Sequence, residues 1–158
     1  MSAAEGSPQH TRFARLDATA DAVTAALIRE EFSRWLRKHF TLDAAKISDV
    51  VLAVNEALAN AAEFAYPAAD QPGAMHMHAE YDPAAAVLAV TVTDEGSWLP
   101  ADSQRRDLAR GRGIPLMHAL ADRAVIDGSP DGTRVRLEWT GIDVVNTSPV
   151  HGGGSRTT

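Results

Sequence analysis

Residues 54–65 read Val-Asn-Glu-Ala-Leu-Ala-Asn-Ala-Ala-Glu-Phe-Ala, a helical pattern that is mostly apolar but carries a carboxylate and a carboxamide. Glu56 and Asn60 are four residues apart, so on an α-helix their side chains lie one above the other. An Asn oxygen can bind a hard cation and a Glu can polarise a hydroxyl group, which suits magnesium-assisted phosphoryl transfer. The alternative is that both residues lie on the solvated side of an amphipathic helix, and the pair alone does not exclude it.

The same periodic pattern extends in both directions along the chain and predicts a helix from Thr41 to Phe64. A second helix is predicted from Asp17 to His39, with Asp17 or Thr19 as its N-cap. Beyond residue 73 the pattern alternates with period two, as is typical of strands. The other predicted elements are a helix at 114–121 and strands at 11–16, 74–81, 86–93, 125–126 and 133–140.

This order of elements predicts the fold class. Strands that follow each other closely in sequence favour antiparallel pairing, and helices can then cover one face of the sheet. We expect an α+β protein, a two-layer α/β sandwich with a mixed, mostly antiparallel sheet. The predicted organisation is a flexible N-terminus (1–10), one domain (11–141) and a disordered tail rich in Gly, Ser and Thr (142–158).

Composition narrows the class of protein. The chain has 158 residues, with 15 Lys and Arg against 21 Asp and Glu, so its net charge of −6 gives no general attraction to nucleic acid. The absence of Cys excludes disulfides and thiolate metal sites. No run of about 18 apolar residues suggests a membrane span, and the N-terminus does not resemble a secretory signal. We expect a soluble cytoplasmic protein that binds neither membrane nor nucleic acid.

Three further short segments carry signals of a binding site. Asp94-Glu95-Gly96 ends a predicted strand. A carboxylate at this position can accept a hydrogen bond from the exocyclic amine of a ligand, and the Gly that follows lets a flat ring approach the backbone. Gly111-Arg112-Gly113 begins a predicted helix, where exposed N–H groups suit phosphate. Gly132-Thr133 opens the last strand and can bring a hydroxyl group to the same pocket. Each signal is weak alone, and their joint occurrence in this order is more specific.

With Glu56 and Asn60, these segments resemble the N, G1 and G2 boxes of the GHKL superfamily, the histidine-kinase-like ATPases. Within it the chain looks most similar to actinobacterial anti-sigma-factor serine/threonine kinases of the partner-switching type. The resemblance covers roughly residues 12–140 and implies a Bergerat-type ATP-binding fold. The matching segments are 52–61 for the N box, 92–96 for G1, 111–117 for G2 and 132–137 for the terminal strand.

The resemblance implies a role for each matching residue. Asn60 would coordinate Mg²⁺ at the phosphates of ATP, and Glu56 would be the general base. Asp94 would bind the adenine amine, Gly96 would give the ring room and Thr133 would complete the adenine pocket. The phosphate segment would include Gly111, Gly113 and Ile114. The loop before it would be the ATP lid, with Arg105 and Arg112 as catalytic arginines among the group Arg105, Arg106, Arg110 and Arg112.

The resemblance also implies an activity and partners. The chain would phosphorylate a protein antagonist of an anti-sigma factor, sequester a sigma factor and form a homodimer. It departs from many relatives at two positions: Phe64 replaces a His or Lys, and Trp98 replaces a Gly. With the short lid, Phe64 supports an alternative, a nucleotide-binding partner-switch module with weak or no catalysis.

Other residues have simpler interpretations. His76 and His78 would share one face of a strand, as surface polar groups or, less readily, as a metal pair. Trp35, Trp139 and the alternating Met75 and Met77 are expected in the core.

Overall fold

The computed structural model describes residues 12–64, 73–96 and 113–145. Within these ranges no helix is both long enough and apolar enough to cross a bilayer. The elements, in chain order, are β1 (Arg12–Thr19), α1 (Ala22–His39), β2 (Phe40–Thr41), α2 (Ala44–Phe64), β3 (Ala74–Asp82), β4 (Val87–Asp94), α3 (Gly113–Leu120), β5 (Arg123–Ser129), β6 (Gly132–Trp139) and β7 (Asp143–Val144).

Five strands form one sheet in the order β1-β3-β4-β6-β5. Every neighbouring pair in it is antiparallel, so the described sheet is fully antiparallel rather than mixed. In the central strand β4, the last residue Asp94 lies opposite Met75 of β3 and Thr133 of β6. The register therefore sets Asp94 and Thr133 side by side.

The two faces of the sheet differ in burial. Met75 and Met77 of β3 are fully buried, whereas His76 and His78 between them are half-buried, because successive side chains of a strand point to opposite faces. The helices pack on the buried face: α1 contacts β1, and α2 contacts β3, β4 and β6. This arrangement confirms the two-layer α+β sandwich. It also confirms the predicted core positions of Met75, Met77, Trp35 and Trp139.

The first helix begins later than the sequence predicts. β1 continues to Thr19, with an irregular register between Arg15 and Ala18 where Asp17 has a φ of 56°. The N-cap is Asp21, whose Oδ1 accepts a hydrogen bond of 2.8 Å from the backbone N–H of Thr24. The prediction of Asp17 or Thr19 as the cap is wrong, because both residues belong to the strand.

The described fold extends past the predicted boundary at residue 141. Ile142 is only 1% exposed, and its carbonyl accepts a hydrogen bond from the Tyr81 hydroxyl. The two residues of β7 pair antiparallel with β2. Residues 142–145 are therefore part of the fold, and the rest of the predicted tail lies outside the described residues.

Candidate functional site

Glu56 and Asn60 lie on the face of α2 that meets the beginning of α3. Asn60 is only 8% exposed, and Glu56 is half-buried. A Cβ atom placed on Gly113, the first residue of α3, would lie 3.2 Å from Glu56 Oε1 and 3.5 Å from both Oδ1 and Nδ2 of Asn60. The predicted pair of side chains is thus brought together at the N-terminus of a helix.

The N-terminus of α3 has the chemistry of an anion site. The first N–H groups of a helix have no partners within the helix, and the helix dipole makes this end positive. Gly113 is buried, and its lack of a side chain leaves room for the Glu56 carboxylate. A phosphate group bound here would lie beside a carboxylate and a carboxamide.

The other end of α3 is anchored to the core. Met117 is fully buried, and the indole Nε1 of Trp139 donates a hydrogen bond of 2.9 Å to the carbonyl oxygen of Leu120. Ile114 is half-buried and packs against the hydrophobic core. These contacts fix the position of α3, and with it the position of Gly113 against α2.

Asp94 forms the second part of the site, at the end of β4. Its carboxylate is 7% exposed, and Oδ1 accepts from the backbone N–H groups of Gly96 at 3.0 Å and Thr133 at 3.3 Å. Thr133 is itself 6% exposed. These two hydrogen bonds from the backbone hold this buried carboxylate in one orientation.

Gly132 is a site residue that the predicted set omits. It has a φ of +150°, and a Cβ there would lie 2.1 Å from the carbonyl oxygen of Asp94. The backbone of β6 thus lies so close to Asp94 that only Gly fits at position 132. The sequence marks Gly132 as the residue that opens a strand, but its contact with Asp94 depends on a pairing between residues far apart in the chain.

The two clusters lie on the same side of the sheet. Asp94 alternates with the buried residues Val92 and Val90 along β4, so its side chain points toward the helices. Thr133 does the same on β6, together with Val135. Because α2 packs against both strands, its polar pair and the Asp94 carboxylate belong to one helix-covered face.

Some of the predicted site residues lie outside the described residues. They are Gly111, Arg105 and Arg112. Trp98 and the other arginines of the predicted lid, Arg106 and Arg110, also lie outside the described residues. The side chain of Phe64 is likewise not described. The predicted site residues that the structure describes are Glu56, Asn60, Asp94, Gly96, Gly113, Ile114 and Thr133, and Gly132 joins them.

Both ring nitrogens of His76 lie within hydrogen-bond distance of other protein groups. Its Nδ1 accepts a hydrogen bond of 3.0 Å from the backbone N–H of Asp17, and its Nε2 lies 3.1 Å from Glu95 Oε2. Because Nδ1 accepts, the proton belongs on Nε2, which donates to Glu95. In the described part of the chain, no three His, Cys, Asp or Glu side chains are grouped to hold a metal. The polar surface interpretation of His76 therefore fits better than the metal pair.

The described residues fit a magnesium–nucleotide ligand. Asn60 offers a neutral oxygen beside the Glu56 carboxylate, and magnesium is usually held by few protein ligands together with water and phosphate oxygens. The N-terminus of α3 suits the phosphates, and the fixed Asp94 carboxylate suits an amine.

Residues 17–139 match the family model of the histidine kinase-like ATPase domain. A search of curated proteins found no significant match. A similar solved structure is that of the RsbU and RsbW domains of Rv1364c from Mycobacterium tuberculosis, with a TM-score of 0.62 and 21% sequence identity. That likeness covers 82% of this chain but only 32% of the other chain, and at this identity it shows the fold alone. Because the family model spans most of the chain, this protein belongs to the histidine kinase-like ATPase domain family.

Proposed function

We propose that this chain is an ATP- and magnesium-dependent protein serine/threonine kinase of the partner-switching type. It would phosphorylate a protein antagonist of an anti-sigma factor and sequester a sigma factor in the cytoplasm. The observation that carries the proposal is the convergence of Glu56 and Asn60 on Gly113 at the N-terminus of α3. Family membership supports ATP as the nucleotide.

Each described residue has a role in the proposed reaction. The N–H groups at the beginning of α3 would bind phosphate oxygens, and Asn60 would hold the metal. Glu56 would accept the proton of the attacking hydroxyl group. Asp94 would accept a hydrogen bond from the adenine amine, with Gly96 and Thr133 beside the ring. Magnesium, when bound, would neutralise charge on the phosphates.

The proposed partners rest on similarity. A solved structure with a similar fold contains domains named RsbU and RsbW. The motifs in this sequence resemble those of kinases that act on sigma-factor regulators. A sigma factor, an antagonist protein and a second copy of the chain are therefore the proposed partners.

One sequence feature favours a second candidate function. Phe64 stands four residues after Asn60, where many similar kinases have a His or Lys. A chain that lacks a basic group there could bind nucleotide without efficient transfer. It would then act as a partner-switch module whose surface responds to ATP.

Transfer of the γ-phosphate from labelled ATP to purified antagonist proteins separates the two candidates. Glu56→Gln keeps the size and polarity of the side chain but removes the base, so transfer should fall by about a hundredfold or more while ATP affinity stays similar. Glu63→Gln is the matched control, because Glu63 is exposed near the end of the same helix. Equal transfer by Glu56→Gln would contradict the kinase mechanism. ATP binding without transfer to any antagonist would favour the module.

A further inference from the structure

A groove of about 540 Å³ runs between α1 and α2, and none of the described site residues lines it. From α1, Arg29, Ser33 and Arg37 follow each other at intervals of four residues, so they share one face of the helix. From α2, Ile47, Val51 and Leu52 supply an apolar floor. The groove therefore combines a basic wall with an apolar base.

The basic wall is wider than the groove itself. A hollow of about 340 Å³ beside it is lined by the same arginines together with Arg34 and Glu30. Three arginines against one glutamate make this surface positive, although the whole chain has a net charge of −6. A local charge opposite in sign to that of the molecule favours a partner of complementary charge.

The arginines of this surface differ in their partners. Arg29 donates to the neutral oxygen of Asn55 at 3.3 Å and forms a long ion pair of 4.0 Å with Glu30 Oε2. Arg37 donates to the Ser33 hydroxyl. Within the part of the chain that the structure describes, neither Arg34 nor Arg37 belongs to an ion pair, and both are exposed.

The segments of this chain beyond the described residues do not have the composition of a matching ligand. Residues 146–158 contain no acidic residue, and 1–11 and 65–72 contain one each. Residues 97–112 contain more arginine than aspartate. Charge complementarity therefore favours an acidic, partly apolar segment of a partner protein as the occupant.

We propose that the groove between α1 and α2 is a docking site for an acidic amphipathic segment of a partner protein. Apolar side chains of that segment contact Val51 and Leu52, and its carboxylates pair with Arg29, Arg34 and Arg37. The α2 wall from Ala44 to Asn55 is about 16 Å long, which accommodates a helix of about three turns. This proposal does not depend on phosphate transfer, since it uses none of the nucleotide-site residues.

The test is binding of a defined synthetic probe, a helical peptide of about 14 residues that alternates Glu with Leu at helical spacing. Amide NMR shifts in the ¹⁵N-labelled protein should concentrate in residues 29–37 and 47–55. The same peptide with Lys in place of Glu should not bind. Raising the salt concentration should weaken the interaction, because exposed charges are screened.

The decisive variant is Arg37→Glu, with Lys38→Glu as its matched control. Both residues are exposed on α1 and both changes alter the net charge equally, but Lys38 does not line the groove. Arg37→Glu should weaken peptide binding about tenfold, and Lys38→Glu should leave it nearly unchanged. Leu52→Ala, at an exposed position, tests the apolar floor independently.

Three results would overturn the proposal: no binding of the acidic peptide, equal loss in both charge variants, or shifts that map to another surface. Sedimentation velocity distinguishes a second copy as the occupant, because Arg37→Glu would then change the oligomeric state. ATP affinity should be the same in Arg37→Glu and the wild type. If the protein binds ATP but not the peptide, only the docking site is refuted. If it binds the peptide but not ATP, only the nucleotide site is refuted.

Discussion

At the scale of single residues, Gly132 is where the fold depends most directly on one missing side chain. We expect Gly132→Ala to destabilise the protein by about 2 kcal/mol or more, because the Cβ would contact the Asp94 carbonyl at 2.1 Å and the backbone φ is strained for Ala. Urea denaturation measures the change. Gly141→Ala is the control, since Gly141 also has a positive φ but faces open space, and it should cost only about 1 kcal/mol. Equal costs would show that the close approach to Asp94 is unimportant.

A substitution at Gly113 is expected to affect ATP binding rather than stability. A methyl group there would lie 3.2 Å from Glu56 Oε1, so the Glu56 carboxylate would have to shift, whereas replacing Gly by Ala reduces the conformational entropy of the unfolded chain. Gly113→Ala should therefore leave the melting temperature unchanged or raised while ATP affinity falls about tenfold. Thermal unfolding and calorimetry together check this. A stable variant with unchanged ATP affinity would place the phosphates elsewhere.

The pairing of Glu56 with Asn60 could be predicted from the sequence because it is local. Side chains four residues apart on a helix share a face wherever the helix lies in the fold. The contact of Gly132 with Asp94 could not be predicted in this way. It arises only when β4 and β6 pair in the observed register, and the intervening segment gives no sign of that register.

At the scale of elements, the start of α1 depends on Asp21. The hydrogen bond from the Thr24 backbone N–H lowers the pKa of Asp21, and the Thr24 side chain adds to this effect. A carboxyl group whose pKa is lower in the folded state stabilises the fold above its unfolded pKa of about 3.9, and this contribution is lost as the pH falls through the folded pKa.

The expected result is that wild type exceeds Asp21→Asn in stability near neutral pH and loses this advantage as the pH falls below about 4, through the lowered pKa of Asp21. Asparagine still accepts the Thr24 hydrogen bond but does not titrate, so helix capping is kept. Chemical denaturation of both proteins across this range measures the difference. A constant difference down to pH 2 would show that Asp21 does not titrate as described.

The bounds of helices and strands with a clear hydrophobic periodicity were predicted well from the sequence. Those of short or irregular strands were not. The patterns of α2, β3 and β4 predict their positions to within a few residues. β1 runs further than predicted because its irregular register interrupts the alternation near Asp17. β2 and β7 have two residues each, too few to show a period, and they form only because they pair with each other.

At the scale of the whole molecule, the sheet and helices bring together residues from four separate segments. Asp94 and Thr133 meet through the register of β4 and β6, and Glu56 and Asn60 meet Gly113 where α2 packs on α3. Family membership supports the proposal that both clusters bind one nucleotide. The groove between α1 and α2 lies apart from it, so partner binding and nucleotide binding can be tested separately.

The measurement that tests the nucleotide site most directly is calorimetric binding of ATP, with and without magnesium. Asp94→Asn keeps an oxygen for the N–H groups of Gly96 and Thr133 but turns the other carboxylate oxygen into a donor, which opposes an amine. Asn60→Ala removes the proposed metal ligand, and Asn55→Ala, on the same helix but in the groove, is its control.

We expect the wild type and Asn55→Ala to bind ATP more tightly with magnesium. Asp94→Asn should lose at least about tenfold in affinity, and Asn60→Ala should lose the magnesium dependence. Absence of ATP binding by the wild type, or unchanged binding by both Asp94→Asn and Asn60→Ala, would contradict a nucleotide site formed by these residues.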